Sequence, residues 1–396
     1  MSRENGPFEF IQQKISLAKA TKFVVDNRGR TAPTASTGIP LIATNCVNNR
    51  DLYPVHENIR FVSQSTYTNW FRSHPKPGDI LLTLKGSQNG AVCLVPDPVD
   101  FAIAQDMVAL RADEDVVEPS FLFAALRSPD VQAQIKNLDV SGVIPHLKKS
   151  DFDKLILPLP DLGAQKAIGN LYLQISRKID LLNRQTRTLE LMAETLFRQW
   201  FVEDAQEGWD ERPLSSIANF LNGLACQKYP PTNDLEKLPV LKIRELSNGI
   251  SDTADWATSQ VKPGYIVEAG DVIFAWSASL MVKVWDGEKC VLNQHLFKVT
   301  SDEFPKWFYL RWCKYHLAEF IAVAASHATT MGHIKRGDLD AAMVLVPPPK
   351  VLETMSKQMQ PLLDKQITIA RQRKTLEKLR DTLLPKLMSG EVRVEV

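Results

Sequence analysis

The chain has 396 residues, 44% of them hydrophobic, so its length allows two or three domains that each bury a core. Its formal net charge of +1 argues against coating of nucleic acid or membrane by bulk charge. The five cysteines are scattered without a CxxC pair, and no apolar run reaches the roughly 18 residues of a membrane span, so we expect reduced thiols in a cytoplasmic protein.

Short apolar segments bounded by Gly, Pro and Asn predict strands in the first 160 residues. The clearest are DILLTL (79–84), GAVCLV (90–95) and MVALRA (107–112). A helical segment, PSFLFAALRSPDVQAQIK (119–136), follows them, and a proline stop, PLPD (158–161), ends this part of the chain.

A long helix is predicted after the first proline stop. Apolar or small residues recur at alternating spacings of four and three from Ile168 to Trp200, which is the pattern of a coiled-coil seam. Neither Gly nor Pro occurs from Leu171 to Gln206, so nothing interrupts this helix.

The second half repeats the order of the first. AGDVIFAW (269–276) resembles PGDILLTL (77–84), and HIKRGDLDAAMVLVP (333–347) resembles HLKKSDFDKLILPLP (146–160). A seven-residue spacing from Met355 to Leu383 predicts a second long helix, with Pro349 in its first turn and Gly390 at its end. Its companion positions include Arg373 and Arg380, so this seam is more polar and is expected to be partly open or to contact another subunit.

The repeat predicts an α+β fold with two globular domains and two long helices that pair as an antiparallel coiled coil, related by an internal pseudo-two-fold repeat. The predicted domains are residues 1–160, the first long helix 161–206, residues 207–347 and the C-terminal long helix 348–396. Antiparallel pairing would place the globular domains at opposite ends. Taken alone, the helices could be structural staples only, but two copies of similar length, each after an equivalent globular part, favour this pairing.

Signatures of catalysis are missing from the sequence. It contains no GxxxxGK[ST], GxSxG or HExxH motif, no Gly-rich cofactor loop, and no zinc spacing among its histidines and cysteines. Asp79 and Asp271 lie in matched PGD and AGD turns, where turn chemistry explains them. We therefore expect no catalytic residue, metal or cofactor. A stand-alone methyltransferase or nuclease with duplicated domains, and a coiled-coil scaffold without a DNA role, remain as alternatives.

The ends of both helices carry a family resemblance. Each globular part ends in an apolar strand, a proline stop and a leucine-rich helix that closes on LFRQWF (196–201) or LLPKLMSGE (383–391). With these elements in this order, the chain resembles, over nearly its whole length, the specificity subunit of a type I restriction–modification enzyme. GWDERPLSSIANFLNGLA (208–225) resembles the opening of a recognition domain in that family, whereas the N-terminus lacks the matching Trp–Leu entry.

The resemblance implies a subunit without catalytic activity. Two modification subunits, which bind S-adenosylmethionine and methylate adenine at N6, and two restriction subunits with translocase and nuclease activity would be its partners. Each recognition domain would read one half of a split, asymmetric site in double-stranded DNA. The helices would set the spacer between the half-sites and dock the methyltransferase subunits. No membrane partner is expected.

Sequence readout of DNA needs Arg, Lys, Asn, Gln, Ser or Thr side chains at the groove edges. Three pairs of matched loops supply them, although an ordinary surface turn is the alternative for each. The first pair contains Ser141, His146, Lys148 and Lys149, and His327, Thr329, Thr330, His333, Lys335 and Arg336. The second pair contains Lys85, Ser87, Gln88 and Asn89, and Ser277 and Ser279. The third pair contains Arg28, Arg30 and Thr31, and Gln227 and Lys228.

Two surfaces of the helices are candidates for partner contacts. Eight basic and three acidic residues lie between Lys357 and Lys386, a run that usually forms a solvated helix face. The alternative is that Arg371, Arg373, Lys374 and Lys378 face the modification subunits or the spacer phosphates. Trp200 and Phe201 either pack on a partner or belong to the core of their own domain.

Overall fold

The structure, a computed structural model, describes residues 13–27, 30–139, 144–326 and 332–394. The chain divides into two compact units, one of Met1–Leu181 with Leu376–Val396 (unit 1) and one of Leu182–Thr375 (unit 2). Each unit therefore contains one globular part and a segment of each long helix.

Unit 1 contains three sheets within its described residues, with strand orders β2-β8-β5-β6, β4-β3-β7 and β1-β9. The strands are β1 (Gln13–Ser16), β2 (Thr21–Asp26), β3 (Ile39–Ile42), β4 (Arg60–Val62), β5 (Ile80–Thr83), β6 (Val92–Leu94), β7 (Ala102–Ile103), β8 (Met107–Ala112) and β9 (Ile156–Leu159). The central strand β5 is buried on both faces: Ile80 and Leu82 belong to one core cluster and Leu81 to another. Its continuous apolar run follows from this double burial.

The helices that begin in unit 1 pack against its sheets, and the last of them is the first long helix. They are α1 (Leu17–Ala20), α2 (Gln64–Asn69), α3 (Pro119–Arg127), α4 (Pro129–Asn137) and α5 (Leu162–Arg198), with 3₁₀ turns at Thr44–Cys46 and Lys149–Asp151. The predicted helical segment splits at Ser128, whose backbone is extended (ψ 147°) because a residue before proline disfavours the helical region. Ser128 then caps α4, accepting a hydrogen bond from Val131 N.

Unit 2 repeats these sheets, with β14 as an additional strand in the second; the strand orders are β11-β18-β15-β16, β13-β12-β17-β14 and β10-β19. The strands are β10 (Asp210–Pro213), β11 (Asn219–Asn222), β12 (Lys237–Leu241), β13 (Trp256–Thr258), β14 (Ile266–Val267), β15 (Val272–Ala275), β16 (Met281–Val284), β17 (Cys290–Leu292), β18 (Leu296–Thr300) and β19 (Met343–Val346). The matching strand orders confirm the internal repeat that the sequence predicts.

The helices of unit 2 follow the same order. They are α6 (Leu214–Ile217), α7 (Ile243–Asn248), α8 (Lys306–Tyr315), α9 (Leu317–Ser326), α10 (Arg336–Ala341) and the second long helix α11 (Pro349–Ser389). A π-helical turn (Gln199–Glu203) follows α5, and 3₁₀ turns lie at Cys226–Lys228 and Pro263–Tyr265. α11 begins at Pro349 and is followed by Gly390 with φ 77°, as expected for a proline start and a glycine stop.

The predicted turn at Asp79 and Asp271 is also repeated. Asp79 accepts a hydrogen bond from Lys76 N and Asp271 from Glu268 N, both at 2.8 Å. Each carboxylate then pairs with a cation on the neighbouring strand at 2.8 Å, Arg111 in unit 1 and Lys298 in unit 2. Each aspartate therefore fastens the turn before β5 or β15 to the adjacent strand, β8 or β18.

The seam residues predicted for α5 are all buried or half-buried. They are Ile168, Tyr172, Ile175, Ile179, Leu182, Thr186, Leu189, Ala193, Leu196 and Trp200. In unit 1, Ile168 near the start of α5 shares a core with Leu387 near the end of α11. In unit 2, Phe197 near the end of α5 shares a core with Met355 near the start of α11. Antiparallel pairing of the helices requires this exchange of ends, and the predicted fold class is confirmed.

The polar positions of the α11 seam contact the globular parts. In unit 2, Arg373 pairs with Asp286, and Arg371 Nη2 donates to the carbonyl of Ala269 at 3.3 Å. In unit 1, Arg380 is 4% exposed, and its Nη1 donates to the carbonyl of Arg50 at 3.2 Å. These arginines stabilise their own units, so the polarity of the seam reflects contacts within the chain.

The Trp-Phe pair at the end of α5 belongs to the core of unit 2. Phe201 is 4% exposed and lies edge-on to Phe308 and Trp312, with ring centroids 5.8 and 5.3 Å away. Trp200 is half-buried against Trp307. Of the two interpretations that the sequence leaves open, the structure supports intramolecular packing.

Candidate nucleic-acid interface

The first two candidate loops of unit 1 meet at a short β-bridge. Lys85 and His146 are bridge partners. Gly86 N donates to the carbonyl of Pro145, and Leu147 N donates to that of Leu84, both at 2.9 Å. The two loops therefore form one surface, which we call loop junction 1 (residues 85–89 and 144–149).

Unit 2 contains the same bridge at the matched positions. Ser277 and His333 are the partners, Ala278 N donates to the carbonyl of Gly332 at 2.9 Å, and Ile334 N donates to that of Trp276 at 3.1 Å. We call this surface loop junction 2 (residues 277–279 and 332–336). Loops more than 50 residues apart in sequence are thus joined in the same way in both units.

The turn of each junction needs a left-handed residue. Gly86 has φ 89° in loop junction 1, and Ala278 has φ 57° at the matched position of loop junction 2. A glycine adopts this conformation freely, whereas an alanine is strained there. The strain at Ala278 indicates that the hydrogen bond to Gly332 and the packing around it hold the turn in place.

The aspartates repeated in HLKKSDFD (146–153) and HIKRGDLD (333–340) are helix caps. Asp151 Oδ2 accepts from Lys148 N at 3.2 Å, and Asp338 Oδ2 accepts from Lys335 N at 2.6 Å. The pKa of Asp151 is lowered, chiefly by a hydrogen bond from Lys154 and also by the one from Lys148 N. The caps fix the backbone of both lysines while their side chains remain exposed.

Several candidates in loop junction 1 are exposed and others hold it together. Ser87, Gln88 and Lys148 are exposed. Asn89 Oδ1 accepts from Leu147 N at 3.2 Å, so this side chain ties the two loops to each other. Lys149 pairs with Asp26 at the end of β2. Lys85 and His146, the bridge partners, are half-buried.

Loop junction 2 presents a different set of side chains. Ser279, Lys335 and Arg336 are exposed, whereas Ser277 is only 4% exposed and its Oγ lies 3.2 Å from His295 Nδ1. Ser277 therefore positions His295, and direct contact of its buried hydroxyl with DNA would require the junction to open. His333 is half-buried.

His295 is a candidate that the sequence analysis did not include. It follows β17 in the stretch NQHL, at the place of QDM (105–107) after β7 in unit 1. Its ring lies 5.8 Å from that of Trp276, and Trp276 lines a cavity of about 250 Å³ whose walls also include Phe297 and Arg336. The matched Gln-x-apolar stretch in both halves is the signal that would have found it.

The third pair of loops contacts the turns that contain Gln105 in unit 1 and Gln294 in unit 2. Arg30 and Thr31 are exposed, and Thr31 Oγ1 donates to Gln105 Oε1 at 2.8 Å. Gln227 and Lys228 are exposed in a 3₁₀ turn. That turn follows Leu224, whose carbonyl accepts a hydrogen bond from Gln294 N. In both units the third loop is therefore joined to the turn that contains Gln105 or Gln294. The remaining candidates, Arg28, Ser141, His327, Thr329 and Thr330, lie outside the described residues.

The chemistry of both junctions is that of hydrogen bonding and positive charge. In the described part of the chain, no group of three or more His, Cys, Asp or Glu side chains is placed to hold a metal ion. The five cysteines are buried free thiols, and burial raises the pKa of each, so none is poised as a thiolate nucleophile. Within the same residues, none of the helices has the length and apolar character needed to cross a membrane.

Comparisons with known proteins agree with this chemistry. The model of the type I restriction modification DNA specificity domain matches twice, at residues 26–191 and 206–378. The specificity subunit of the type I restriction enzyme MjaIX from Methanocaldococcus jannaschii is 24% identical over 349 residues, covering 82% of this chain and 79% of the relative. That of HindI from Haemophilus influenzae is 19% identical over 403 residues, covering 80% and 87%. The crystal structure of a type I restriction-modification S subunit from M. genitalium shares the fold, with a TM-score of 0.60 and 14% identity over 100% of this chain and 99% of that one.

Proposed function

This chain belongs to the family of type I restriction–modification specificity subunits, and from that premise we propose that each of its two units reads one half of a split, asymmetric site in double-stranded DNA. In this proposal the chain itself is not catalytic. It directs adenine N6 methylation and the restriction of unmethylated DNA by other subunits.

The observation that carries the proposal is the pair of loop junctions. Their backbones are joined in the same way, yet their exposed side chains differ: Ser87 and Gln88 stand in loop junction 1, and Ser279 and Arg336 in loop junction 2. Because base readout depends on side-chain donors and acceptors, one scaffold with two different sets would read two different sequences. An asymmetric site requires such a pair of readers.

The candidate residues divide by chemistry into two roles. We propose that the cations position each unit on the phosphates, and that Arg336 also reads base edges: Arg28, Arg30, Lys85, Lys148, Lys149, Lys228, Lys335 and Arg336. The neutral side chains would read base edges or shape the loops that do so: Thr31, Ser87, Gln88, Asn89, Ser141, His146, Gln227, Ser277, Ser279, His327, Thr329, Thr330 and His333. Asn89 and Ser277 belong to the shaping group because their side chains already bind within the junctions.

The long helices have two roles in the proposal. They set the spacer between the half-sites, and they dock two modification subunits. Two restriction subunits join the complex that results. The chain needs no cofactor of its own, because S-adenosylmethionine and ATP would be bound by these partners. We propose residues 1–160, 161–206, 207–347 and 348–396 as the functional segments. The second and fourth segments are helical, and each begins one residue before its long helix, α5 or α11.

Base-resolution mapping of N6-methyladenine in the host genome, with and without the gene, tests the proposal. Deletion should abolish methylation at one split motif, and the motif would give the target and the spacer together. An unchanged methylome, in a strain that expresses the chain and its methyltransferase, would contradict the proposal and favour a scaffold. Binding of S-adenosylmethionine by the purified chain alone would favour the stand-alone methyltransferase.

A further inference from the structure

Helix α2 distinguishes the two units. β4 and β13 are matched edge strands that pair antiparallel with β3 and β12. In unit 1 β4 leads directly into α2 (Gln64–Asn69), whereas in unit 2 the chain after β13 continues to the 3₁₀ turn Pro263–Tyr265. We propose that α2 is a DNA-reading helix that enters the major groove of the half-site read by unit 1, an inference that rests on the proposed function.

The exposed face of α2 carries hydrogen-bonding groups throughout. Gln64, Ser65, Thr68 and Asn69 are exposed, and their spacing of one, four and five residues places them on one side of the helix. Two weak contacts connect them: Gln64 Nε2 lies 3.4 Å from Thr68 Oγ1, and Asn69 Nδ2 lies 3.3 Å from Ser65 Oγ. Such solvent-exposed contacts orient the two amides and can be exchanged for contacts to a ligand at little cost.

The opposite face fixes the helix to its unit. Phe71, two residues after α2, is 7% exposed in a core cluster with Val62, against which Tyr67 also packs. The rings of Tyr67 and His74 are stacked with centroids 3.8 Å apart. At the start of the helix Ser63 Oγ accepts from Thr66 N at 3.1 Å, which is an N-terminal cap. Readout side chains on a helix held in this way are preorganised for a ligand.

The charge around α2 fits a polyanion. Residues 58–78 contain Arg60, Arg72 and Lys76 and no Asp or Glu, and Arg72 is exposed. The matched stretch of unit 2, residues 254–270, contains Asp255 and Glu268. An exposed polar helix in a stretch that carries three cations and no carboxylate is complementary to a phosphate backbone, whereas a docked protein would favour apolar contacts at the centre.

The candidate loop at Arg30 and Thr31 lies on the same part of unit 1. Ala35 bridges to Phe61 in β4, with a hydrogen bond of 2.8 Å from Ala35 N to the Phe61 carbonyl. Ala32 belongs to the same core cluster as Phe71. Arg30 and Arg72 can then bind phosphates on either side of a groove while α2 reads the bases between them.

The side chains of α2 indicate which base is read. The amides of Asn and Gln match adenine, whose major-groove edge offers N7 as an acceptor and N6 as a donor. We therefore assign Gln64 and Asn69 to adenines of the half-site read by unit 1. This is the type of base that the assembled enzyme would methylate, but the contact itself serves readout.

The test uses the full chain assembled with its modification subunits and maps methylation of a randomised DNA library. Q64A and N69A should each lower the preference for one base pair of a single half-site by about 10- to 100-fold, because one bidentate contact gives that discrimination. The other half-site should be unchanged. Q260A is the matched control: Gln260 is exposed and stands two residues after β13, as Gln64 stands two residues after β4.

The outcomes separate this inference from the proposed function. A wild-type complex with a split motif, and Q64A and N69A complexes with the same motif at the same preference, would overturn the reading role of α2 alone. A wild-type complex that methylates no split motif would overturn the proposed function, and this inference with it. R72A, which removes a phosphate contact, should weaken methylation of all sequences without changing the preferred bases.

Discussion

Arg311 binds Glu190 through both of its terminal nitrogens, with Nη1–Oε1 at 2.8 Å and Nη2–Oε2 at 3.0 Å. Lys314 joins the same carboxylate at 2.7 Å. The contact ties α8 of the globular part of unit 2 to the long helix α5, and Arg311 is only 6% exposed. Glu190 thereby binds two cations where the globular part of unit 2 packs against α5.

Replacing Glu190 with Gln should destabilise unit 2. The substitution leaves the buried guanidinium of Arg311 without its counter-charge, and losing one partner of a half-buried pair costs about 2 kcal/mol of unfolding free energy. Urea denaturation followed by tryptophan fluorescence measures the loss. E194Q on the exposed side of the same helix is the control and should cost less than about 0.5 kcal/mol. Equal stabilities of both variants would contradict the role of Glu190.

The same carboxylate should make the stability of unit 2 sensitive to acid. Burial raises the pKa of Glu190, but the charges of Lys314 and Arg311 and their hydrogen bonds outweigh burial and lower it. A lowered pKa contributes stability that is complete above the ordinary Glu pKa of about 4.3 and is lost as the pH falls through the folded value. The unfolding free energy of the wild type should therefore fall more steeply than that of E190Q as the pH falls below about 5. Parallel curves of unfolding free energy against pH would contradict a stabilising charge on Glu190.

Local pattern accounts for much of this fold. The heptad spacing from Ile168 onward predicts which residues of α5 are buried, and the repeated aspartates at Asp151 and Asp338 mark matched positions that prove to be caps. The bridge between Lys85 and His146 could not be predicted, because it joins loops about 60 residues apart and depends on tertiary packing. Helix α2 was missed because six residues are too few to establish a helical period.

The same limit applies to the candidate site. A serine in a loop such as Ser277 reads as an exposed donor, and only the structure shows that its hydroxyl is buried against His295. Lys148 and Lys335 are exposed, as expected for loop residues. Their backbone N–H groups donate to the capping aspartates, and their side chains remain in solvent. The sequence therefore identifies the loops, whereas the structure is needed to show which side chains of a loop are exposed and which hold it together.

Phe201 should be a core residue whose loss destabilises unit 2 in the isolated chain. F201A removes a ring packed against Trp209, Phe308 and Trp312, and such a cavity costs about 3–5 kcal/mol. V202A, at a neighbouring position that is 44% exposed, is the control and should have little effect. If F201A left the stability of the isolated chain unchanged and only weakened subunit assembly, Phe201 would instead be a partner contact.

The two exposed lysines should act through phosphates. K148A and K335A in the assembled complex should weaken binding to cognate and unrelated DNA by similar factors and lower the slope of log K against log salt by about one each. K148R and K335R keep the charge and should retain most of the slope. Fluorescence anisotropy across a salt series measures this, and a loss confined to cognate DNA would show that the lysines read bases.

Lengthening both long helices together should lengthen the DNA spacer. The boundaries of the compact units fall within the helices, at Leu181–Leu182 in α5 and Thr375–Leu376 in α11. One heptad inserted at each boundary leaves the residues of both units intact and keeps the seam in register, while it adds about 10 Å of helix. At 3.4 Å per base pair this is up to about three base pairs.

The methylation map of that double insertion should show both half-sites unchanged and a longer spacer. The same heptad inserted in α5 alone puts the two seams out of register, so it should destabilise the chain and reduce assembly with the modification subunits. A double insertion that assembles and methylates at the original spacing would contradict the role of the helices in setting the spacer. An altered base preference would show instead that the helices shape the readers, because the insertion changes no residue of either loop junction.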